Sequence, residues 1–245
     1  MIVLLPAGAF FRKGLLLLQL KVIAHMRNDF STKFGLPRQS GLVEAIRGRI
    51  VFEEDYRVAD ALRGMEGFSH LWLIWGFSEA VRQDWKPTVR PPRLGGNKRL
   101  GVFATRSPFR PNALGLSCVR LEGIDYDCSD GPAIIVSGVD MMDGTPIYDI
   151  KPYIPYADCR PEAAAGFVGE NADRHVEVVF DEALLALVPC DRREALLGVL
   201  ERDPRPAYHD DPERVYGFEY AGLDVKFKVS DGVLTVCGVA ALSGE

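Results

Sequence analysis

The sequence lacks the glycine signatures of the common nucleotide-binding folds. None of its 24 glycines is separated from another by a single residue, so no G-x-G turn is present, and no G-K-[S/T] triplet offers a phosphate loop. The G-x-S-x-G turn that exposes the nucleophile of many serine hydrolases is also missing. These absences exclude dinucleotide-binding and P-loop sites of the usual kind and disfavour a hydrolase.

Metal-binding patterns are missing as well. The four histidines form no H-x-H or H-E-x-x-H motif, and the cysteines form no C-x-x-C pair. The five cysteines are scattered along the chain, at Cys118, Cys128, Cys159, Cys190 and Cys237. We therefore expect no metal, and we expect structural thiols in a reducing, cytoplasmic compartment.

The apolar start of the chain lacks the order of a signal peptide. Its basic pair, Arg12 and Lys13, follows an apolar run instead of preceding one, and the run at 15–18 is too short to cross a bilayer. We predict no membrane segment. Residues 15–24 are interpreted as a first strand, and those before it as an extension that reflects an upstream choice of start codon.

Charge is unevenly placed. The net charge of -5 argues against a protein coated by nucleic acid on all sides. Yet residues 86–110 hold seven basic residues and no acidic one, whereas residues 122–149 hold seven acidic residues and no basic one. Taken alone, such runs are more often solvated faces than binding sites.

Short β-rich runs separated by Gly/Pro-rich turns dominate the first two-thirds of the chain, a pattern typical of a barrel or a sandwich. The predicted strands are 15–24, 41–52, 68–77, 101–105, 114–124 and 133–139, with one short helix at 58–65. An Ala/Gly/Pro-rich connection follows at 157–174.

A different pattern occupies the last third. We predict a strand at 175–180, a helix at 191–201 with Asp191 as its N-cap, and a small sheet from 216–220, 223–229 and 233–239. The sequence thus predicts a mainly β protein. A β-barrel catalytic domain would span 15–160, and a small α+β domain would span 170–245.

Two loops rich in proline and arginine, at 91–97 and 105–112, are the strongest candidate binding segments. They are either barrel connections that happen to carry arginines or loops that present guanidiniums to phosphates or a carboxylate. Trp85, Phe103 and Phe109 interleave with the basic residues, as binding of single-stranded RNA would require. For Phe103, inside a predicted strand, we expect a core position instead.

An acidic turn at 140–146 closes the strand predicted before it. Its aspartates could bond their own backbone in an Asx-type turn. Alternatively, they could bind a cationic or polyhydroxylated ligand such as a ribose. A hydrolase built on Asp140 and Asp143 is disfavoured, since nothing places two carboxylates across one sugar.

Several unusual strings closely resemble the TrmO family, also called TsaA-like or YaeB. They are PRQ at 37–39, FSHLW at 68–72, VRPPRLGGN at 89–97, GVFATRS at 101–107, FRPN at 109–112, DGTP at 143–146 and DIKPY at 149–153. DPRPAY at 203–208 and YG at 216–217 are similar to the family's C-terminal domain. The likeness runs from about residue 22 to residue 236.

This resemblance implies an enzyme that transfers a methyl group from S-adenosylmethionine to N6 of threonylcarbamoyladenosine, beside the tRNA anticodon. It also implies a β-barrel catalytic domain, a homodimer with the cofactor near the subunit interface, and a C-terminal domain that engages the tRNA anticodon stem-loop. The cofactor residues it indicates are Pro37, Arg38, Gln39, Ser78, Glu79, Arg106, Leu116, Asp143, Gly144, Thr145 and Pro146. Many relatives carry histidine where this chain has Ser78.

Within that framework, we expect Arg106 and Gln39 to hold the cofactor or the target base. The residues expected to bind RNA phosphates are Arg90, Arg93, Lys98, Arg99, Arg110 and Arg205. No residue is identifiable as a general base, so the catalytic residue is left open. The alternative is a non-catalytic module of the same fold that binds S-adenosylmethionine and RNA without turnover.

Overall fold

The computed structural model describes residues 19–80, 84–91, 98–171, 175–205 and 211–242. Its strands are β1 (Ala24–Arg27), β2 (Arg47–Phe52), β3 (His70–Gly76), β4 (Thr88–Val89), β5 (Leu100–Gly101), β6 (Leu114–Asp125), β7 (Ala133–Ser137), β8 (Pro146–Pro152), β9 (Glu177–Val179), β10 (Tyr216–Tyr220), β11 (Leu223–Ser230) and β12 (Val233–Ala241). The α-helices are α1 (Pro155–Asp158), α2 (Glu182–Leu185) and α3 (Arg193–Glu201).

Six strands close into a barrel in the order β1-β2-β7-β6-β3-β8, and every neighbouring pair is antiparallel. Successive side chains of a strand point to opposite faces, so every second residue enters the barrel. In β3 these residues are Leu71, Leu73 and Trp75, all buried. The predicted fold class, a mainly β protein with a barrel, is confirmed.

Trp75 fits only because its neighbour in β6 is glycine. Trp75 pairs with Gly115, and a Cβ atom on Gly115 would lie 2.2 Å from the indole ring. The indole Nε1 donates a hydrogen bond of 2.9 Å to Ser117 Oγ, which in turn donates one of 2.6 Å to Asp140 Oδ1. The barrel interior is thereby linked to the acidic turn after β7.

The C-terminal part forms a four-stranded sheet in the order β10-β11-β12-β9, in which β9 runs parallel to β12. Leu196 and Leu200 of α3 are fully buried. The β11–β12 hairpin turns at Asp231 and Gly232, both with positive φ (51° and 80°), as a tight two-residue turn requires. Its two strands were predicted at 223–229 and 233–239, close to their observed bounds.

The connection between β1 and β2, residues 28–46, packs against the C-terminal sheet and α3. Phe30 and Tyr220 bring their ring centroids to 5.0 Å, and Asp29 pairs with Arg192 at 2.8 Å. Gly35, with φ 92°, lies so close to the Phe218 ring that a Cβ atom would come within 2.5 Å of it. The barrel and the C-terminal sheet therefore share one continuous apolar core.

Several predicted elements differ from the structure in place or kind, and the strand predicted at 41–52 begins only at Arg47. The first strand begins at Ala24, where the predicted strand 15–24 ends, and residues 15–18 lie outside the described ranges. The strand predicted at 101–105 stops at Gly101 and becomes a 3-10 turn at Val102–Ala104. Its partner β4 lies between Pro87 and Pro91, and proline cannot extend a strand ladder.

The predicted helix at 58–65 is instead a pair of 3-10 turns separated by Gly64, whose φ of 85° breaks the helix. Helix α3 begins at Arg193, after a 3-10 turn. Asp191 is not its N-cap: that position is Arg192, with no side-chain cap, and the Asp191 carboxylate pairs with the Arg192 side chain at 3.0 Å.

No helix in the described ranges combines the length and apolar character needed to cross a membrane.

Candidate functional site

One open cleft of 1610 Å³ gathers most of the predicted basic segment. It is lined by residues of 84–91, 99–111 and 164–168, together with Arg38 and Gln39. Its basic lining residues are Arg38, Lys86, Arg90, Arg99, Arg106 and Arg110. Asp84 is the single acidic residue among the described lining residues, so the cleft is strongly cationic although the whole chain is negatively charged.

The loop after β5 is held by its own hydrogen bonds. Thr105 Oγ1 donates to the Val102 carbonyl at 2.9 Å, and Arg110 Nη1 donates to the Thr105 carbonyl at 3.1 Å. Pro108 and Pro111 further restrict the backbone. The loop therefore has a fixed conformation at the edge of the cleft, in which Arg106 is exposed and Arg110 is half-buried.

Arg106 connects this edge to the β1–β2 connection. Its Nη1 donates a hydrogen bond to Gln39 Oε1, and Gln39 Nε2 donates to the Arg38 carbonyl. Arg38 Nη2 in turn donates to the Arg205 carbonyl at 3.4 Å. Three predicted cofactor residues from two segments that are distant in sequence thus form a series of contacts along the cleft.

Asp140 lies near the Arg106 side chain. Its carboxylate accepts hydrogen bonds from Ser117 and from the backbone N–H groups of Ser40 and of Asp140 itself. Burial raises the pKa of Asp140, and the Arg106 charge opposes that rise. A bond to its own N–H does not make the predicted Asx-type turn, which requires the N–H two residues further along. The bonds to Ser40 and Ser117 instead connect the turn to the β1–β2 connection and to β6.

The variant Asp140→Asn tests this environment. Folding raises the pKa of Asp140 above its ordinary 3.8, so the stability that the protonated carboxyl contributes is complete below that value. It is lost as the pH rises through the folded-state pKa. We therefore expect the unfolding free energy of the wild type, relative to the variant, to fall as the pH rises from 3.8 through the raised folded-state pKa. Urea denaturation at several pH values measures this difference, and a constant or rising difference would contradict the expectation.

The other predicted cofactor residues do not line the cleft. Asp143 faces the end of β1, where its carboxylate accepts a hydrogen bond of 3.1 Å from the Asn28 N–H and pairs with Arg27 at 3.4 Å. Gly144 N–H donates to the Met26 carbonyl, which fixes the DGTP turn to that strand. Thr145 is buried and Pro146 begins β8.

Four further predicted positions also lie outside the cleft lining. Leu116 projects from β6 with 56% of its surface exposed. Ser78 and Glu79 are exposed in a 3-10 turn after β3. Pro37 is buried beside Arg38. One chain therefore presents the predicted cofactor residues on more than one surface.

The predicted RNA-binding residues also lie in different surroundings. Arg90, Arg99 and Arg110 line the cleft, and Lys98 is exposed beside Arg99. Arg93 lies outside the described residues. The Arg205 guanidinium is only 15% exposed and binds both carboxylate oxygens of Asp203, at 2.8 and 2.9 Å. This bidentate pair argues against a direct phosphate contact by Arg205.

Sequence reasoning missed two parts of the cleft. Phe103 was expected in the core but is 72% exposed at the cleft edge, because the 3-10 turn directs it outward. Residues 164–168 form part of the wall, although they were interpreted as a connection. Their Ala/Gly-rich composition carries no signal of a binding role.

No group of three His, Cys, Asp or Glu side chains that could hold a metal ion occurs in the part of the chain that the structure describes.

A closed antiparallel barrel with a cationic, aromatic-edged cleft is typical of β-barrel proteins that bind single-stranded nucleic acid. Two family models match the chain. The tRNA-methyltransferase O N-terminal domain matches residues 25–159, and the TrmO C-terminal domain matches residues 173–242. The chain belongs to the TrmO family.

Individual members of the family are similar to this chain over most of its length. The chain is 40% identical over 222 residues to the tRNA (adenine(37)-N6)-methyltransferase of Escherichia coli, covering 87% of this chain and 94% of that protein. It is 40% identical to a putative S-adenosylmethionine-dependent methyltransferase, RcsF, of Pseudomonas aeruginosa, covering 83% and 89%. A crystal structure of TrmO from Pseudomonas aeruginosa superposes with a TM-score of 0.74 at 33% identity, covering 92% of this chain and all of that one.

Proposed function

We propose that the protein methylates N6 of the adenosine at position 37 of tRNA, with S-adenosylmethionine as methyl donor, and that this adenosine carries a threonylcarbamoyl group. The relatives' names supply the reaction class. The observation that carries the proposal to this chain is the cleft, where Arg38, Gln39 and Arg106 meet beside a cationic, aromatic edge.

These residues fit an S-adenosylmethionine site by their chemistry. The donor's carboxylate requires cationic hydrogen-bond donors, and Arg38 and Arg106 provide exposed guanidiniums. When bound, S-adenosylmethionine supplies an electrophilic methyl group on a sulfonium. Gln39, fixed between the two arginines, would orient a ligand by hydrogen bonds from its amide.

The chain's main contribution to the reaction is positioning. A nitrogen conjugated to a carbamoyl group is a weak nucleophile, so alignment with the methyl group matters most. An arginine does not lose its proton near neutral pH, so Arg106 can stabilise charge but cannot accept the departing proton. Arg90, Lys98, Arg99 and Arg110 would bind the anticodon stem-loop through its phosphates.

The spread of the predicted cofactor residues over several surfaces supports a homodimer. In such a dimer, one copy would supply Arg38, Gln39 and Arg106, and the other would supply exposed groups such as Leu116 or the Asp143 turn. We also propose the barrel, 15–160, as the methyltransferase domain and 170–245 as the tRNA-engaging domain, both in the cytoplasm.

The reaction is tested with purified protein, labelled S-adenosylmethionine and tRNA that carries threonylcarbamoyladenosine. Digestion to nucleosides should yield a labelled N6-methylated product, and the same tRNA without the threonylcarbamoyl group serves as the control. If cofactor and tRNA bind but no labelled nucleoside forms, the proposal is wrong and the non-catalytic module is correct.

A further inference from the structure

Two large aromatic side chains stand exposed at the edge of the cleft. Phe103 is 72% exposed and Trp85 is 50% exposed, and their ring centroids are 6.0 Å apart with the planes inclined by 35°. An exposed aromatic ring forgoes the stabilisation that burial would give. Two such rings side by side at a cleft therefore indicate a binding site for a ligand with a flat apolar face.

The surrounding backbone fixes this aromatic pair. Val102, next to Phe103, is buried and its N–H donates to the Pro87 carbonyl at 2.9 Å. The pairing of Thr88 with Gly101 in the β4–β5 ribbon brings the two aromatic residues together from separate segments. The backbone that carries the pair is therefore fixed before a ligand binds, so less conformational entropy is lost on binding.

The charges around the pair indicate the class of ligand. Lys86 and Arg99 are exposed within the same cleft, and its described lining holds six basic residues against one acidic residue. An apolar protein segment would gain nothing from such an excess of cations. A single-stranded polynucleotide uses both features, because its bases stack on aromatic rings while its phosphates meet cations.

We infer that Phe103 and Trp85 form a stacking site for an unpaired nucleobase that flanks the target adenosine in the anticodon loop. This inference rests on the proposed function and deepens it by naming residues that would hold the loop open. Stacking of a neighbouring base would keep the loop unstacked at the target position, so that its exocyclic nitrogen becomes accessible.

A double-mutant cycle tests the contact. Anticodon stem-loop RNAs with a single abasic nucleotide at each loop position are titrated against wild type and Phe103→Ala. We expect Phe103→Ala to weaken binding of the intact RNA roughly 5- to 150-fold, the range for loss of one stacked base. At one flanking position, the abasic RNA should bind wild type and Phe103→Ala equally weakly. Removing the base already abolishes the stacking contact, so removing the ring as well costs no further affinity. Trp85→Ala should behave in the same way at that position.

Controls separate stacking from folding. Phe103→Tyr should retain the affinity, since its ring is still flat, and Tyr156→Ala removes an aromatic ring that is 88% exposed but lies outside the cleft lining. We expect Tyr156→Ala to bind RNA like the wild type. S-adenosylmethionine affinity, measured by calorimetry, should be unchanged in Phe103→Ala.

Three results would overturn the inference. The first is independent, additive effects of Phe103→Ala and the abasic nucleotide at every loop position. The second is a loss of S-adenosylmethionine binding with RNA affinity intact, which would assign the pair to the cofactor. The third is dissociation of a dimer with RNA affinity intact, which would assign it to a subunit contact.

The two proposals fail in different ways. If the wild type forms no methylated nucleoside but the abasic cycle shows coupling, the stacking site stands as a binding site and the proposed reaction falls. If methylation proceeds and Phe103→Ala leaves the KM for tRNA unchanged, the reaction stands and the stacking site falls.

Discussion

Replacing Phe218 by alanine is expected to lower the free energy of unfolding by about 3–5 kcal/mol. Phe218 is buried, and its ring lies against Gly35 and near the rings of Phe34 and Phe227. Because Gly35 precedes Pro37 by two positions, the cavity left by the ring should also loosen the segment that carries Arg38. Urea denaturation measures the stability, and calorimetry measures the accompanying loss of S-adenosylmethionine affinity.

Phe218→Leu provides the matched control, since it retains most of the apolar volume and should lose less stability. Val179→Ala, in the same C-terminal sheet but 47% exposed, should change stability little. A loss of less than about 1 kcal/mol for Phe218→Ala would show that this interface does not stabilise the fold.

Replacing Arg106 by alanine is expected to reduce kcat/KM for methylation by about 10- to 150-fold, corresponding to loss of one charge-assisted hydrogen bond. The same change removes the bond to Gln39 Oε1. Arg106→Lys keeps the charge but not the planar fork of donors, so we expect an intermediate rate. Steady-state assays with varied S-adenosylmethionine and varied tRNA show which substrate is affected.

Arg63→Ala is the matched control for charge, because Arg63 is 78% exposed, pairs with the nearby Asp60 and does not line the cleft. Its kcat/KM should equal that of the wild type. An Arg106→Ala enzyme as active as the Arg63→Ala enzyme would remove Arg106 from the proposed site.

The fold was predictable where a short β-rich run is bounded by turn residues. The strands predicted at 68–77, 223–229 and 233–239 match β3, β11 and β12. Strand β8 was missed, since Asp149 and the prolines that begin and end it do not show the composition of a strand. Its place depends on pairing with β3 and β1, a contact between distant segments that no local pattern reveals.

The site was predictable in the same partial way. The acid-free basic run supplies most of the lining of one cleft, because charges close in sequence stay close in space. The meeting of Arg106 with Gln39 depends on how the β1–β2 connection folds back, which is set by its packing on the C-terminal sheet. Likewise, only the fold shows that the Arg205 guanidinium is paired with the Asp203 carboxylate.

The closed barrel also bears on how the chain would aggregate. A closed sheet has no row of unpaired backbone groups that another chain could extend, whereas an open sheet has two. Within the described residues, β9 and β10 are the outer strands of the C-terminal sheet. β9 has three residues and offers little length for pairing, so intermolecular β-pairing during heating or refolding should begin at β10.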